Sequence, residues 1–171
     1  MQISNFAGKT VAIMVASGFD EKIFIAIQSA MLTAGAKLKI VSRDAGLTNA
    51  WNGSGWGMSY PVDATISTAL AVDYDALIIP SGARHIETLS SEVHVKRILR
   101  AFLREDMPVL MMEEASSLLE VVDVEAPALD ADTKTGMRDR LVTIVAGEDN
   151  ISGLELLNSV MLMAEDDSVA A

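Results

Sequence analysis

The chain has 171 residues, half of them hydrophobic, a size that one domain with a well-buried core fills and that leaves no room for a second. Thirteen lysines and arginines against 24 aspartates and glutamates give a net charge of −11, a field that repels nucleic acid and anionic membrane surfaces. Cysteine is absent, which excludes disulfides, thiolate metal sites and thiol nucleophiles, while ten methionines leave sulfoxide formation as the one route of sulfur oxidation.

No apolar run of the roughly 18 residues that a membrane span needs is present, and the leading MQISNFAGKT has neither a basic lead nor an apolar signal core. A soluble, cytoplasmic protein is expected. Lys9 to Ser17 holds VAIMVA, a continuous apolar run that suits a central strand covered on both faces. Asp20 can cap the helix that follows. Ile23, Ile27, Ala30, Met31 and Ala34 recur there at helical spacing, and Gly35 offers a stop. Lys37 to Ser42 then alternates as a second strand.

Arg43 to Tyr60 reads as an irregular stretch, too long for a plain connector, with four of the eleven glycines and both tryptophans. Ala76 to Pro80 is a third buried strand, and Ser81 and Gly82 form its exit turn. Ser90 or Ser91 can cap a helix from about Glu92 to Arg104 with Val95, Ile98, Leu99 and Phe102 on one face. Pro108 opens a fourth strand, VLMM. Leu141 to Ala146 is a fifth, and Ile151 to Ala164 a closing helix with Leu154, Leu157, Val160, Met161 and Ala164 inward. Between them, VVDV at Val121 to Val124 reads as a short extra strand, and the acidic tail 165–171 should fray. Alternating apolar strands and amphipathic helices predict an α/β, flavodoxin-like three-layer sandwich, a mostly parallel sheet with helices on both faces.

Few motifs carry chemistry. Gly8-Lys9-Thr10 looks like the end of a phosphate loop, but Ile3 stands where its first glycine belongs and the run precedes its strand. Gly53, Gly55 and Gly57 have the wrong spacing for a dinucleotide fingerprint, so a mobile loop is expected. Trp51 and Trp56 there can stack on a ligand or pack across a subunit interface, the latter being favoured. His85 and His94 lack ligand-spaced partners and no calcium-loop spacing occurs, so neither metal nor cofactor is expected. Ser116 and Ser117 lack the glycine-flanked elbow of a nucleophilic serine.

The most informative segment is Met107 to Leu119, MPVLMMEEASSLL, a buried strand running into a sharp turn and a helix. Ligands of doubly wound sheets sit beyond the carboxyl ends of the strands, which brings three turns together: Ala16 to Asp20, Pro80 to Arg84, and Met112 to Ala115. Asp20, Arg84 and Glu113 are therefore expected near one another. Two close carboxylates cannot both ionise cheaply, so Asp20 and Glu113 sharing a proton would raise one pKa, while Arg84 within reach would oppose that shift. The plainer alternative makes Asp20 a helix cap and Glu113 a salt-bridged surface group.

These segments resemble the ThiJ/PfpI superfamily, the class I glutamine amidotransferase-like group. GKTVAIMVASGFDEKIFIAIQSAMLTAGAKLKIVS is similar to its opening strand and helix, DYDALIIPSGAR to its third-strand glycine turn, and MPVLMMEEASSLL to its elbow. SRDAG followed by PVDATIS is also similar to the flavodoxin-like C-terminal domain of large-subunit catalases. The resemblance covers Lys9 to Leu119. It implies that the elbow of active members holds a cysteine, commonly followed by histidine, and that an acidic residue opening the first helix hydrogen-bonds it. Here Glu113 stands at the cysteine position, Glu114 follows, Asp20 matches the acidic residue, and Gly82 matches the turn whose N–H can face an oxyanion.

Every cysteine-dependent activity of the family therefore lacks its nucleophile, and glutamate attacks amides and aldehydes poorly. The expected function is a non-catalytic or repurposed domain, homodimeric or a higher homo-oligomer, with a stress-related, stabilising or small-ligand-binding role. The alternative is a carboxylate-based hydrolase, hydratase or lyase on a small carbonyl substrate, with Glu113 and Asp20 as acid and base and the Gly82 N–H polarising an oxygen. A serine hydrolase using Ser116 or Ser117 is the remotest reading.

Overall fold

Apolar strands need cover on both faces, and the fold supplies it with two separate cores. The structure is a computed structural model that describes residues 4–145 and 153–161. In chain order the strands are β1 (Thr10–Val15), β2 (Phe19–Asp20), β3 (Lys37–Ser42), β4 (Leu47–Trp51) and β5 (Trp56–Pro61). Then come β6 (Ala64–Thr65), β7 (Ala76–Ile79), β8 (Val109–Met112), β9 (Thr135–Arg138) and β10 (Leu141–Ile144). The helices are α1 (Glu21–Ala34), α2 (Ala83–Ser90), α3 (Val93–Arg104), α4 (Leu118–Val121) and α5 (153–161).

A seven-stranded sheet runs in the order β6-β3-β1-β7-β8-β10-β9, parallel except for β9. Its five principal strands follow the second-first-third-fourth-fifth order of flavodoxin-like folds. Alternation along each strand divides the side chains. Val11, Ile13, Val15, Ile78 and Leu110 pack with Ile23, Phe24, Ile27 and Met31 of α1 and with Leu154 and Leu157 of α5. Ala12, Met14, Leu77, Ile79 and Met111 pack on the other face with α2, α3 and α4, through Ile86, Leu89, Ile98, Leu99, Phe102 and Leu118. The expected three-layer α/β sandwich is the observed one.

The local signals at α1 act as read. Asp20 accepts a hydrogen bond from the Ile23 N–H at 3.0 Å, and Gly35 closes the helix in the left-handed region at φ 77°. Among the described residues no helix is long and apolar enough to cross a membrane. Ala146, Ile151 and Ala164 lie outside the described residues.

Four expectations are corrected. The stretch from Arg43 to Tyr60 is largely the β4–β5 hairpin, which pairs with β2 to make a second, three-stranded sheet. Its turn is an Asx turn in which Asn52 Oδ1 accepts from the N–H groups of Ser54 and Gly55. VVDV is no strand, because α4 runs into it and the chain turns at Asp123 with φ 58°. The extra strand is β9, which exists by pairing antiparallel with β10. The turn at Ser81 and Gly82 leads at once into α2, and α3 is capped by the Glu92 carboxylate accepting from the His94 N–H. The Ser90 and Ser91 hydroxyls donate instead to the Glu87 and Thr88 carbonyls.

The hairpin is fastened to the body by rings. Phe24 lies 5.0 Å from Phe19 and 4.5 Å from Tyr60 of β5, centroid to centroid. Phe24→Ala is expected to cost about 3–5 kcal/mol in urea denaturation. Faster amide exchange in β4 and β5 should accompany that loss.

Candidate functional site

The carboxyl ends of β1, β7 and β8 deliver three turns to one place, with backbone hydrogen bonds tying the first to the second and to β4, and the Glu114 side chain joining the third. The Asp20 N–H donates to the Ser81 carbonyl at 3.0 Å, and the Gly18 N–H donates to the Asn49 carbonyl at 2.8 Å. The approach is too close for side chains. A Cβ on Gly82, whose φ is 137°, would lie 2.8 Å from the Gly18 carbonyl oxygen and 2.9 Å from the His85 ring.

His85 is the residue that sequence reading passed over. It is fully buried, its Nε2 lies 2.6 Å from the Pro80 carbonyl, and its Nδ1 accepts from the Ala16 N–H at 3.4 Å. These partners put the single proton on Nε2. Burial holds the ring neutral and pushes its pKa down to about 4, against weaker opposing effects of the Pro80 hydrogen bond and the Glu114 charge. The one signal for it in the sequence was its place three residues beyond the Ser81-Gly82 turn.

At the end of β8 the chain turns at Glu113, a non-glycine residue in the left-handed region with φ 52°. Such strain is stored where surrounding structure imposes it. Glu113 is half-buried and its pKa is raised, first by burial, then by the Glu114 charge, by a hydrogen bond between the two carboxyl groups, and by the Asp20 charge. Glu114 also turns back across the site, and its Oε1 accepts from the Gly82 N–H at 2.9 Å. The backbone donor suited to an oxyanion is thus engaged by the chain's own carboxylate.

Of the residues expected to meet, Asp20 caps α1 and adds its charge to the neighbourhood of Glu113. Arg84 stacks elsewhere: its guanidinium carbon is 4.5 Å from the Trp51 ring centroid and 5.6 Å from that of Trp56. The Ser116 and Ser117 hydroxyls donate to the carbonyls of Glu113 and Glu114, so both serve the turn. His94 lies on α3, half-buried. Among the described residues no cluster of histidine, aspartate and glutamate could hold a metal ion.

The model of the DJ-1/PfpI family fits residues 9–146. The chain belongs to the DJ-1/PfpI family. General stress protein 18 of Bacillus subtilis (strain 168) is 24% identical over 164 residues, spanning 96% of this chain and 88% of that protein. The ThiJ/PfpI domain protein from Brachyspira murdochii superposes with a TM-score of 0.72 at 16% identity, covering 94% of this chain and 98% of that one. Toxoplasma gondii DJ-1, in an oxidized form, gives 0.71 at 17% identity over 94% and 93%. These solved structures share the fold.

Two pH dependences follow. Between the ordinary histidine value of 6.5 and about 4, the unfolded state binds a proton that folded His85 refuses, so stability falls as pH drops through that window. The loss should reach roughly 3 kcal/mol across the window, and urea denaturation of His85→Gln should show a flatter profile. Glu113 has the opposite sense, because its folded pKa lies above the ordinary 4.5 and ionisation above that value weakens the fold. Glu113→Gln should therefore melt higher than the parent at neutral pH, and the gain should vanish below the ordinary value.

Proposed function

We propose that this DJ-1/PfpI protein is a non-catalytic, cysteine-free member with a stress-related, ligand-binding role, acting as a homo-oligomer. The observation that carries this reading is the 2.9 Å hydrogen bond from the Gly82 N–H to Glu114 Oε1. Acyl and carbonyl chemistry needs that donor for the oxygen that becomes charged, and a resident carboxylate competes for it. Glu113 adds a second carboxyl where the family resemblance implies a thiolate, and a crowded carboxyl is a poor nucleophile toward amides and aldehydes. The stress-related part is supported by the likeness to General stress protein 18. The homo-oligomeric part is supported by exposed Ile25 and Leu32 on α1, 46% and 80% accessible, beside a surface hollow of about 470 Å³.

An activity screen on peptide and glyoxal-type substrates tests the reading. No turnover above background is expected. Turnover that Glu113→Ala abolishes would defeat it.

One observation favours the second reading, a carboxylate-based enzyme. The raised pKa of Glu113 brings it toward the range in which a general acid or base works at neutral pH. In that case Glu113 and Asp20 act on a small carbonyl or hydration substrate, and Glu113→Gln lowers the rate roughly 100-fold to 10,000-fold. Activity unchanged in that variant would exclude it.

A further inference from the structure

Arg84 pairs with none of the chain's acidic side chains among the described residues. The Asp20 carboxylate is engaged by the Ile23 N–H, Glu21 by the Met58 N–H at 2.6 Å, and Glu114 by the Gly82 N–H. Among the described residues Arg84 makes neither a hydrogen bond nor an ion pair, although acidic residues outnumber basic ones 24 to 13. What holds it is stacking. Trp51 and Trp56 meet edge to face at 87° with centroids 5.4 Å apart, and the guanidinium lies against both rings. On the other side its stem packs on Gly18, where a Cβ would come within 2.6 Å of Arg84 Cβ.

Arg84 is exposed, so stacking on the two rings gives up part of its rotamer freedom while leaving its in-plane N–H fork open to the solvent side. A planar fork of two parallel donors matches a carboxylate. Charge narrows the class further: the chain's net charge of −11 opposes a dianion more than a single negative charge, which disfavours phosphate.

We propose that Arg84, clamped by Trp51, Trp56 and Gly18, anchors a binding site for small monocarboxylates at the mouth of the elbow. The ligand's carboxylate receives both donors of the fork, and its remaining atoms lie toward the Gly82 turn two residues away. This rests on the ligand-binding part of the proposed function and names its ligand class. Catalytic turnover would defeat the non-catalytic reading without touching this site, and absence of binding would defeat this site alone.

The chain's two tryptophans are both in the clamp, so intrinsic fluorescence reports on it directly. Sodium acetate is titrated against sodium chloride at matched ionic strength and neutral pH, with sodium phosphate as a third arm. Saturation transfer to the acetate methyl protons gives a readout independent of the tryptophans. The expected result is a saturable response to acetate, none to chloride, and weaker binding of phosphate. Arg84→Gln should abolish acetate binding. Arg84→Lys keeps the charge but not the fork, and should weaken binding by about tenfold or more, the loss of one charge-assisted hydrogen bond. Near-ultraviolet circular dichroism of Arg84→Lys verifies that the rings stay packed, and Trp51→Phe, which keeps an aromatic platform, should bind acetate measurably. An acetate response equal to that of chloride, full binding by Arg84→Lys, or tighter binding of phosphate would each overturn the proposal.

Discussion

The buried imidazole of His85 is the constraint on which the upper end of the sheet depends. One ring spans two strand exits, taking the Ala16 N–H on Nδ1 and reaching the Pro80 carbonyl through Nε2. Both backbone groups are removed from water, and an unpaired buried donor or acceptor costs about 1–3 kcal/mol, so the ring answers two such debts at once. It does so only when neutral, because a cation there would lose its hydration and could not accept from Ala16. With the two exits tied, Gly18 and Gly82 pass each other at a separation no side chain permits. Arg84 and Asp20 then have fixed places, each one or two residues from a locked turn.

On the neighbouring strand the elbow holds a different tension. A left-handed glutamate, a second carboxylate beside it and a third on the cap of α1 gather like charge at the point of tightest backbone curvature. Stability alone would favour glycine and neutral side chains at that point. Glu114 satisfies the Gly82 N–H, so the donor at the glycine turn is already engaged within the chain.

The sequence made the sandwich legible because its evidence is local. VAIMVA, ALII and VLMM are unbroken apolar runs, and the Asp20 and Gly35 caps need only their own neighbours. The β4–β5 hairpin was hidden because its strands are short, largely polar and exposed on one side, and glycines flank them, so neither period shows clearly. β9 was hidden for another reason: TGMR becomes a strand only when β10 offers it an edge. At the site, the meeting of three turns could be read from topology, but the choice of partners could not. That Glu114 reaches Gly82, that Glu21 reaches Met58, and that Arg84 leaves the carboxylates for two indoles are tertiary outcomes with no spacing to announce them.

The distribution of sulfur gives the molecule an unusual relation to oxidants. Met14, Met31, Met111 and Met112 are wholly enclosed, while Met58 and Met137 stand 64% and 50% exposed on the hairpin and the edge strand. Among the described residues the thioethers most open to a peroxide are thus these two, outside the cores, where a sulfoxide disturbs little packing. At the elbow a peroxide finds a carboxyl group already at the highest oxidation level short of losing carbon dioxide. A glutamate at this turn offers no sulfur to oxidise, so its contacts persist under conditions that modify thiols and thioethers.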